Sequence, residues 1–114
     1  MNSKTEFQSR IDVDKYESFL TADGLPAGDV AWLRNTERDG QTYKAGMWRA
    51  EVSECPYYFA ADETFVMMKG VLQVKLEDGT IMRFGPGDTG SFTKGTHSTW
   101  TVVEPVLHFF IQTT

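Results

Sequence analysis

The chain has 114 residues, which is enough for one compact domain and too few for a multidomain enzyme. Apolar residues make up 40 % of it, aromatic residues 13 % and charged residues 24 %, so it has ample apolar surface to bury and is not expected to be disordered. The net charge of −5 argues against a nucleic-acid partner, because nucleic acids normally bind a basic face.

The content of targeting signals and of cysteine narrows the class of protein further. No stretch approaches the roughly 18 consecutive apolar residues of a membrane-spanning helix, and the polar start of the chain does not resemble a signal peptide. We therefore expect a cytoplasmic protein with no membrane partner. Cys55 is the only cysteine, which excludes an intramolecular disulfide and a multi-cysteine zinc site.

The first part of the chain, residues 2–33, is polar and weakly patterned. Residues 16–20 are compatible with a short helical turn or an edge strand, and the glycines and proline of residues 24–28 are expected to interrupt any regular element. We interpret residues 1–30 as an N-terminal extension, a candidate edge strand or swapped strand, and residues 31–114 as the folded domain.

From Ala45 onward, short apolar or alternating runs bounded by Gly, Pro or Asp recur about every eight to twelve residues, which predicts an all-β fold. Asp78-Gly79 has the residues of a two-residue turn and makes residues 71–84 a hairpin. Such a series of short strands favours a small sandwich or a jelly-roll barrel. The predicted strands are Gly46–Ser53, Thr64–Lys69, Val71–Leu76, Thr80–Phe84, Gly90–Phe92, Ser98–Val103 and Val106–Gln112.

A set of spaced residues narrows the choice among jelly-roll folds. The set is Asp62-Glu63, Gly70, Asp78-Gly79, Phe84-Gly85-Pro86-Gly87-Asp88, Gly95 and Thr99-Trp100. It resembles the cupin superfamily, whose first motif is G-x5-H-x-H-x(3,4)-E-x6-G and whose second is G-x5-P-x-G-x2-H-x3-N. In cupins the three histidines and the glutamate usually bind a metal inside a double-stranded β-helix, so the resemblance implies that barrel here.

The histidine positions of both cupin motifs are occupied by other residues. In the first motif they hold Tyr57 and Phe59, or Pro56 and Tyr58 in the alternative spacing. In the second motif Thr93, Ser98 and Val102 replace proline, histidine and asparagine. His97 misses its slot by one residue, which turns its side chain to the other face of a strand. With two histidines in all, the chain cannot form a three-histidine centre, and we predict no metal and no other cofactor.

One branch of the superfamily is especially similar: the small single-domain cupins related to (S)-ureidoglycine aminohydrolase and to the Q-type protein of ethanolamine utilisation. The shared residues are Trp32, Gly46-Met47-Trp48, Asp62-Glu63, Gly70, Phe84 to Asp88, Ser98-Thr99-Trp100 and Glu104-Pro105-Val106. Lys69 and Thr93-Lys94 depart from the pattern of that branch. The resemblance covers about residues 30–112.

Two residues are candidate catalytic groups. Glu63 matches the one motif glutamate that faces the cavity of a cupin, where burial among aromatic rings would raise its pKa and suit it to general acid or base catalysis. The alternative is a rim glutamate bonded to a backbone amide or a lysine. His108 alternates with Val106, Phe110 and Gln112 on the last strand and is a proton-transfer partner for Glu63 if that face lines the cavity. The alternative places it on the outer face.

Five further residues are candidate ligand-binding groups: Trp48, Tyr57, Tyr58, Ser98 and Trp100. Aromatic walls with a few polar groups are typical of small-molecule pockets, although tryptophans are often core or dimer-interface residues. We therefore predict a cupin that binds, and in one version transforms, a small polar metabolite. The alternative is a non-catalytic ligand-binding or assembly module, and a homodimer is expected in either case.

Overall fold

The computed structural model of the protein describes Gln8, Arg10 and residues 13–114. The remaining positions of the predicted N-terminal extension, residues 1–7, 9, 11 and 12, lie outside the described residues. The strands are β1 (Glu17–Leu20), β2 (Pro26–Arg38), β3 (Gln41–Ala50), β4 (Ser53–Tyr58), β5 (Asp62–Leu76), β6 (Ile81–Phe84), β7 (Thr89–Phe92) and β8 (His97–Thr113). No membrane-spanning helix is found in this part of the chain.

The strands form one antiparallel sheet that folds over on itself. Its main path is β1-β2-β3-β8-β5-β6, with β4 added to β8 and β7 added to β5. Both β5 and β8 are long enough to serve two neighbours: β8 pairs with β4 through its first half and with β3 through its second. This is the all-β jelly-roll barrel of the cupin fold that the sequence predicts.

The long strands β5 and β8 bend where their pairing register shifts, between Met67 and Leu72. Gly70 lies at this bulge with a φ of 85°, and a Cβ atom there would collide with the carbonyl oxygen of Pro105. Because a bulge bends a strand without ending it, the two predicted strands on either side of Gly70 are one strand. The two predicted strands from Ser98 to Gln112 are likewise one strand.

Two strands, β2 and β4, were not predicted from the sequence, and one predicted strand differs from the structure at both ends. Residues 24–28 were expected to interrupt regular structure, yet β2 begins at Pro26 and passes through Gly28, whose φ is 71°. Pro56 lies in β4, which pairs with β8 along one edge, so the missing N–H of proline costs no second ladder. The predicted strand Gly46–Ser53 is wrong at both ends, because β3 begins at Gln41 and stops at Ala50.

The N-terminal residues join the main sheet. Of the two alternatives for residues 16–20 the structure has the edge strand, since β1 pairs antiparallel with β2. β2 itself runs across residue 30, the predicted boundary between extension and domain. The division of the chain at that point stays a prediction.

The core is rich in aromatic rings and lies between the two layers. Phe59, Phe65, Phe84 and Phe92 pack against one another, with ring centroids of Phe59 and Phe92 4.7 Å apart. On β8 the buried side chains alternate through Val106, His108 and Phe110. His97 is exposed, whereas Trp100 and Val102 are buried, as the one-residue shift of His97 predicts.

Candidate functional site

The barrel contains a cavity of about 290 Å³ beside the packed aromatic core. Its volume is at the lower end of small-molecule sites, which occupy roughly 300–1,000 Å³. Trp48, Trp100, Val102 and Phe110 form much of its apolar wall, and Phe19, Leu25, Pro26 and Ala27 contribute from the N-terminal strands. Polar side chains in the wall include Tyr57, Glu63, His108 and Gln112.

Glu63 is held by two neighbours at one end of the cavity. The Tyr57 hydroxyl donates to its Oε1 atom over 2.7 Å, and Nε2 of Gln112 donates to the same oxygen over 2.8 Å. The three residues come from β5, β4 and β8, and Glu63 and Gln112 are directly opposite in the sheet. Oε2 of Glu63 has no hydrogen-bond partner within residues 13–114. The carboxyl group is therefore fixed through one oxygen.

Burial sets the protonation of this cluster. Glu63 is 4 % exposed, and the loss of hydration raises the pKa of its carboxyl group, against the opposing effect of the hydrogen bonds from Gln112 and Tyr57. Burial, followed by the charge of Glu63, raises the pKa of Tyr57 well above its ordinary value. Tyr57 is thus a protonated phenol that donates its hydrogen bond, and Glu63 is biased towards the carboxylic acid.

His108 is buried in the wall at another part of the cavity. Its side chain is 1 % exposed, and its ring lies 4.9 Å from Trp48 and 4.6 Å from Phe65 between centroids. Burial lowers the pKa of His108 to about 3, so the imidazole is neutral near pH 7. Nδ1 has no hydrogen-bond partner among the described residues. An unpartnered buried polar atom costs about 1–3 kcal/mol, which a suitable ligand would recover.

The structure does not bring Glu63 and His108 into contact. Glu63 pairs with Gln112, whereas His108 pairs with Met67, four residues further along β5. At about 3.4 Å per residue this offset is roughly 13 Å between backbone positions, too far for a direct hydrogen bond. Direct proton transfer between the two, as the sequence analysis expected, therefore does not fit the register. A ligand that engages both groups has to extend through the cavity.

Three of the five candidate ligand-binding residues lie at the cavity: Trp48, Tyr57 and Trp100. The indole N–H of Trp48 donates to the carbonyl oxygen of Ala27 over 2.7 Å. The indole N–H of Trp100 donates to Oγ of Ser98 over 3.1 Å. Both tryptophans therefore present ring surface rather than a free donor to a ligand.

The other two candidates do not line the cavity. Ser98 accepts from Trp100 and donates to the carbonyl oxygen of Tyr57 over 2.8 Å, so its hydroxyl is already engaged and orients two wall residues. Tyr58 packs against the exposed His97, with ring centroids 4.7 Å apart. Adjacent tyrosines on β4 face opposite sides, which is why only Tyr57 reaches Glu63.

Several wall residues were not singled out by the sequence analysis. Gln112 carries a usable signal, because it alternates with His108 and Phe110 on the inward face of β8. Phe19 and Ala27 carry no such signal, because their segment has no clear hydrophobic pattern. The segment reaches the cavity only because β1 pairs with β2 and β2 pairs with β3.

The usual cupin metal centre does not fit these residues. Phenol, phenyl and hydroxyl groups occupy the inferred histidine positions at Tyr57, Phe59 and Ser98. In the described part of the chain no group of three or more His, Cys, Asp or Glu side chains is placed to hold a metal ion. We therefore derive no chemical step through a metal.

A second, larger concavity of about 630 Å³ lies outside the barrel and is called the outer groove. Tyr16, Arg49, Lys69 and Leu107 are among its lining residues. Arg49 stacks on the ring of Tyr16 at 3.7 Å and pairs with Asp29 at 3.5 Å. None of the candidate site residues lines the outer groove.

Comparison with known proteins gives a consistent family and fold. The family model of the EutQ-like cupin domain matches residues 36–109. A DUF861 family protein from Thermotoga maritima is 36 % identical with a TM-score of 0.55, over 56 % of this chain and 73 % of that chain. No curated protein matches the chain.

Two further solved structures share the fold at lower identity. A putative ethanolamine utilization protein Q from Salmonella typhimurium is 20 % identical with a TM-score of 0.66, over 86 % of this chain and 93 % of that chain. The EutQ protein of Clostridium difficile is 17 % identical with a TM-score of 0.64, over 74 % of this chain and 59 % of that chain.

Proposed function

This chain belongs to the EutQ-like cupin family, and from the geometry of its barrel we propose that it binds a small polar organic molecule in the inner cavity. The observation that carries the proposal is the unpartnered Nδ1 atom of His108. Buried polar atoms are normally satisfied, and an exception beside a cavity suits a ligand that supplies the missing hydrogen bond. The expected location of this activity is the cytoplasm.

A catalytic version of this proposal rests on Glu63. A carboxyl group that burial biases towards its acid form is suited to protonate a leaving group or a carbonyl oxygen of a bound substrate. Tyr57 and Gln112 hold its Oε1 atom and leave Oε2 to face the substrate. Binding without turnover needs only the shape and polarity of the cavity, so we put binding first and catalysis second.

The test is a thermal-unfolding screen of small polar metabolites on the wild type and on Ala27→Phe, which places a ring at the cavity wall. A ligand that prefers the native state raises the melting temperature by mass action. Compounds should stabilise the wild type and not Ala27→Phe. The control Val52→Phe adds the same ring at a position that is 66 % exposed, and it should respond like the wild type. Equal responses in all three proteins would overturn the proposal.

The same screen separates binding from catalysis. Stabilising compounds that are recovered unchanged support a binding module. Product formation that is lost in Glu63→Gln, with the fold retained, supports the catalytic version. Product formation that survives this change would remove Glu63 from that role.

We also propose that two copies associate through the outer face of the sheet. Leu107, Phe109 and Ile111 point outward from β8, the strand between β3 and β5, and Ile111 is 45 % exposed. A second copy would cover the same apolar residues on both subunits, as a two-fold interface requires.

A further inference from the structure

We propose that the inner cavity selects a small organic cation, a primary or alkylated ammonium group held between the carboxylate of Glu63 and the aromatic rings of the wall. This inference rests on the proposed function and names its ligand class. It is carried by three observations: the charges that line the cavity, the use of its hydrogen-bond donors, and the aromatic rings around it.

The charged side chains that line the cavity are both acidic. They are Glu54 and Glu63, and neither lysine nor arginine is found among the described lining residues. A carboxylate or phosphate ligand would find no cation in this lining, and the ionised form of Glu63 would repel it. The lining therefore disfavours anions and leaves neutral or cationic molecules.

Hydrogen-bond donors of the wall are largely used within the protein. The indole N–H groups of Trp48 and Trp100 and the hydroxyl of Tyr57 each have an internal acceptor. Oε2 of Glu63 is without a partner among the described residues, and it accepts hydrogen bonds when the carboxyl group is ionised. A ligand that matches an unpartnered acceptor supplies N–H donors. An ammonium group supplies such donors and adds no acceptor.

Aromatic rings supply the second half of a cation site. Trp48, Tyr57 and Trp100 all line the cavity, with Tyr57 and Trp100 5.0 Å apart and Trp48 and Trp100 5.4 Å apart between centroids. The negative faces of such rings attract ammonium groups, most strongly where water is excluded. A neutral alcohol of the same size gains the apolar contacts and not this attraction.

The proton balance of the site is simple. When the carboxyl group of Glu63 is protonated in the free protein, binding of an ammonium ion favours the carboxylate and one proton leaves to solvent. Tyr57 and Gln112 already donate to Oε1 and stabilise that carboxylate. The other titratable groups in the wall are Glu54, Cys55, Tyr57 and His108. No covalent bond is formed or broken.

Three probes of similar size and different charge test the inference: n-butylamine, which is an ammonium ion at pH 7, 1-butanol and butyrate. Binding is measured by ligand-observed NMR with the wild type, Glu63→Gln and Glu37→Gln. In the wild type we expect the amine to bind about tenfold or more tightly than the alcohol, and butyrate to give no signal. Glu63→Gln should reduce the amine to the level of the alcohol. Glu37→Gln removes an equal charge from an exposed residue of β2 that does not line the cavity, and it should keep the preference.

The outcomes separate this inference from the function on which it rests. Alcohol binding as tight as amine binding, or tighter binding of butyrate, overturns the cation site and leaves a ligand cavity in place. An amine preference that persists in folded Glu63→Gln also overturns it. If none of the three probes binds the wild type, the cavity itself is not a ligand site, and the proposed function fails with the inference. The charge series on the wild type remains decisive if Glu63→Gln does not fold.

Discussion

Burial pushes Glu63 and His108 towards their neutral forms from opposite directions. It raises the pKa of the Glu63 carboxyl group and lowers that of the His108 imidazole to about 3. Because each shift compares the folded with the unfolded chain, each also changes the pH dependence of stability. The two residues therefore make separate and opposite predictions about unfolding.

His108 should make the folded protein less stable in acid. The unfolded chain binds a proton on this residue below about pH 6.5, whereas the folded protein does so only near pH 3. Its contribution to stability is complete above pH 6.5 and is lost towards pH 3, at about 1.4 kcal/mol per pH unit. Urea unfolding at several pH values should show that the free energy of unfolding of His108→Phe lacks this decrease between pH 6.5 and pH 3. The exposed His97→Gln is the control, and a slope that survives in His108→Phe contradicts the burial of a neutral imidazole.

Glu63 should act in the opposite sense. Its folded pKa lies above the unfolded value, so its stabilising contribution is present below about pH 4.5 and is lost as the pH rises through the folded pKa. The free energy of unfolding of the wild type, relative to Glu63→Gln, should therefore fall as the pH rises from about 4.5. A difference that stays constant up to pH 8 would show that the carboxylate is as well solvated in the folded protein as in the unfolded chain.

At the scale of elements, the N-terminal strands complete the cavity. The family match begins at residue 36, yet Phe19, Leu25 and Ala27 line the cavity from β1, β2 and the turn between them. The carbonyl oxygen of Ala27 also accepts the indole hydrogen bond of Trp48. This part of the wall is thus attached to the inner face of β3 and lies outside the segment that matches the family.

The bulge at Gly70 is the element whose disruption should damage the fold most. Gly70 and Gly79 both have positive φ, 85° and 92°, but only Gly70 has a backbone neighbour where a Cβ atom would lie. Gly79→Ala should cost about 1–2 kcal/mol from backbone strain, whereas Gly70→Ala should cost about 3 kcal/mol or more. Denaturant unfolding of both variants measures the difference. Equal losses of stability would show that the backbone at Pro105 shifts easily to make room for a Cβ atom at residue 70.

The sequence predicted the elements whose signals are local. Asp78-Gly79 indicated the β5–β6 hairpin. Alternation along residues 106–112 indicated a strand but left open which of its faces points inward. β4 escaped prediction because Pro56 resembles a turn residue, and only its pairing with residues 97–102 makes it a strand. The same holds for the site: Glu63 follows from its motif position, whereas its contact with Gln112 depends on strands that meet only in the folded sheet.

At the scale of the whole molecule, the outer sheet face predicts association. Ile111→Lys places a charge on the apolar outer face of β8 and should convert a dimer into a monomer, because burying an unpaired charge is costly. Ile81→Lys is the matched control, since Ile81 is 59 % exposed on β6, which β5 separates from β8. Light scattering coupled to size-exclusion chromatography measures the mass. A wild-type monomer at micromolar concentration, or a dimer in Ile111→Lys, contradicts the proposed interface.

We expect the ligand to bind in the inner cavity rather than in the outer groove. The three tryptophans report on it directly, because Trp48 and Trp100 line the cavity while Trp32 does not. ¹H–¹⁵N NMR spectra recorded with the most stabilising compound of the screen should show shifts of the Trp48 and Trp100 indole signals and a constant Trp32 signal. Shifts centred on Tyr16, Arg49 and Leu107, with Trp48 and Trp100 unchanged, would place the ligand in the outer groove and show that the inner cavity is not its site.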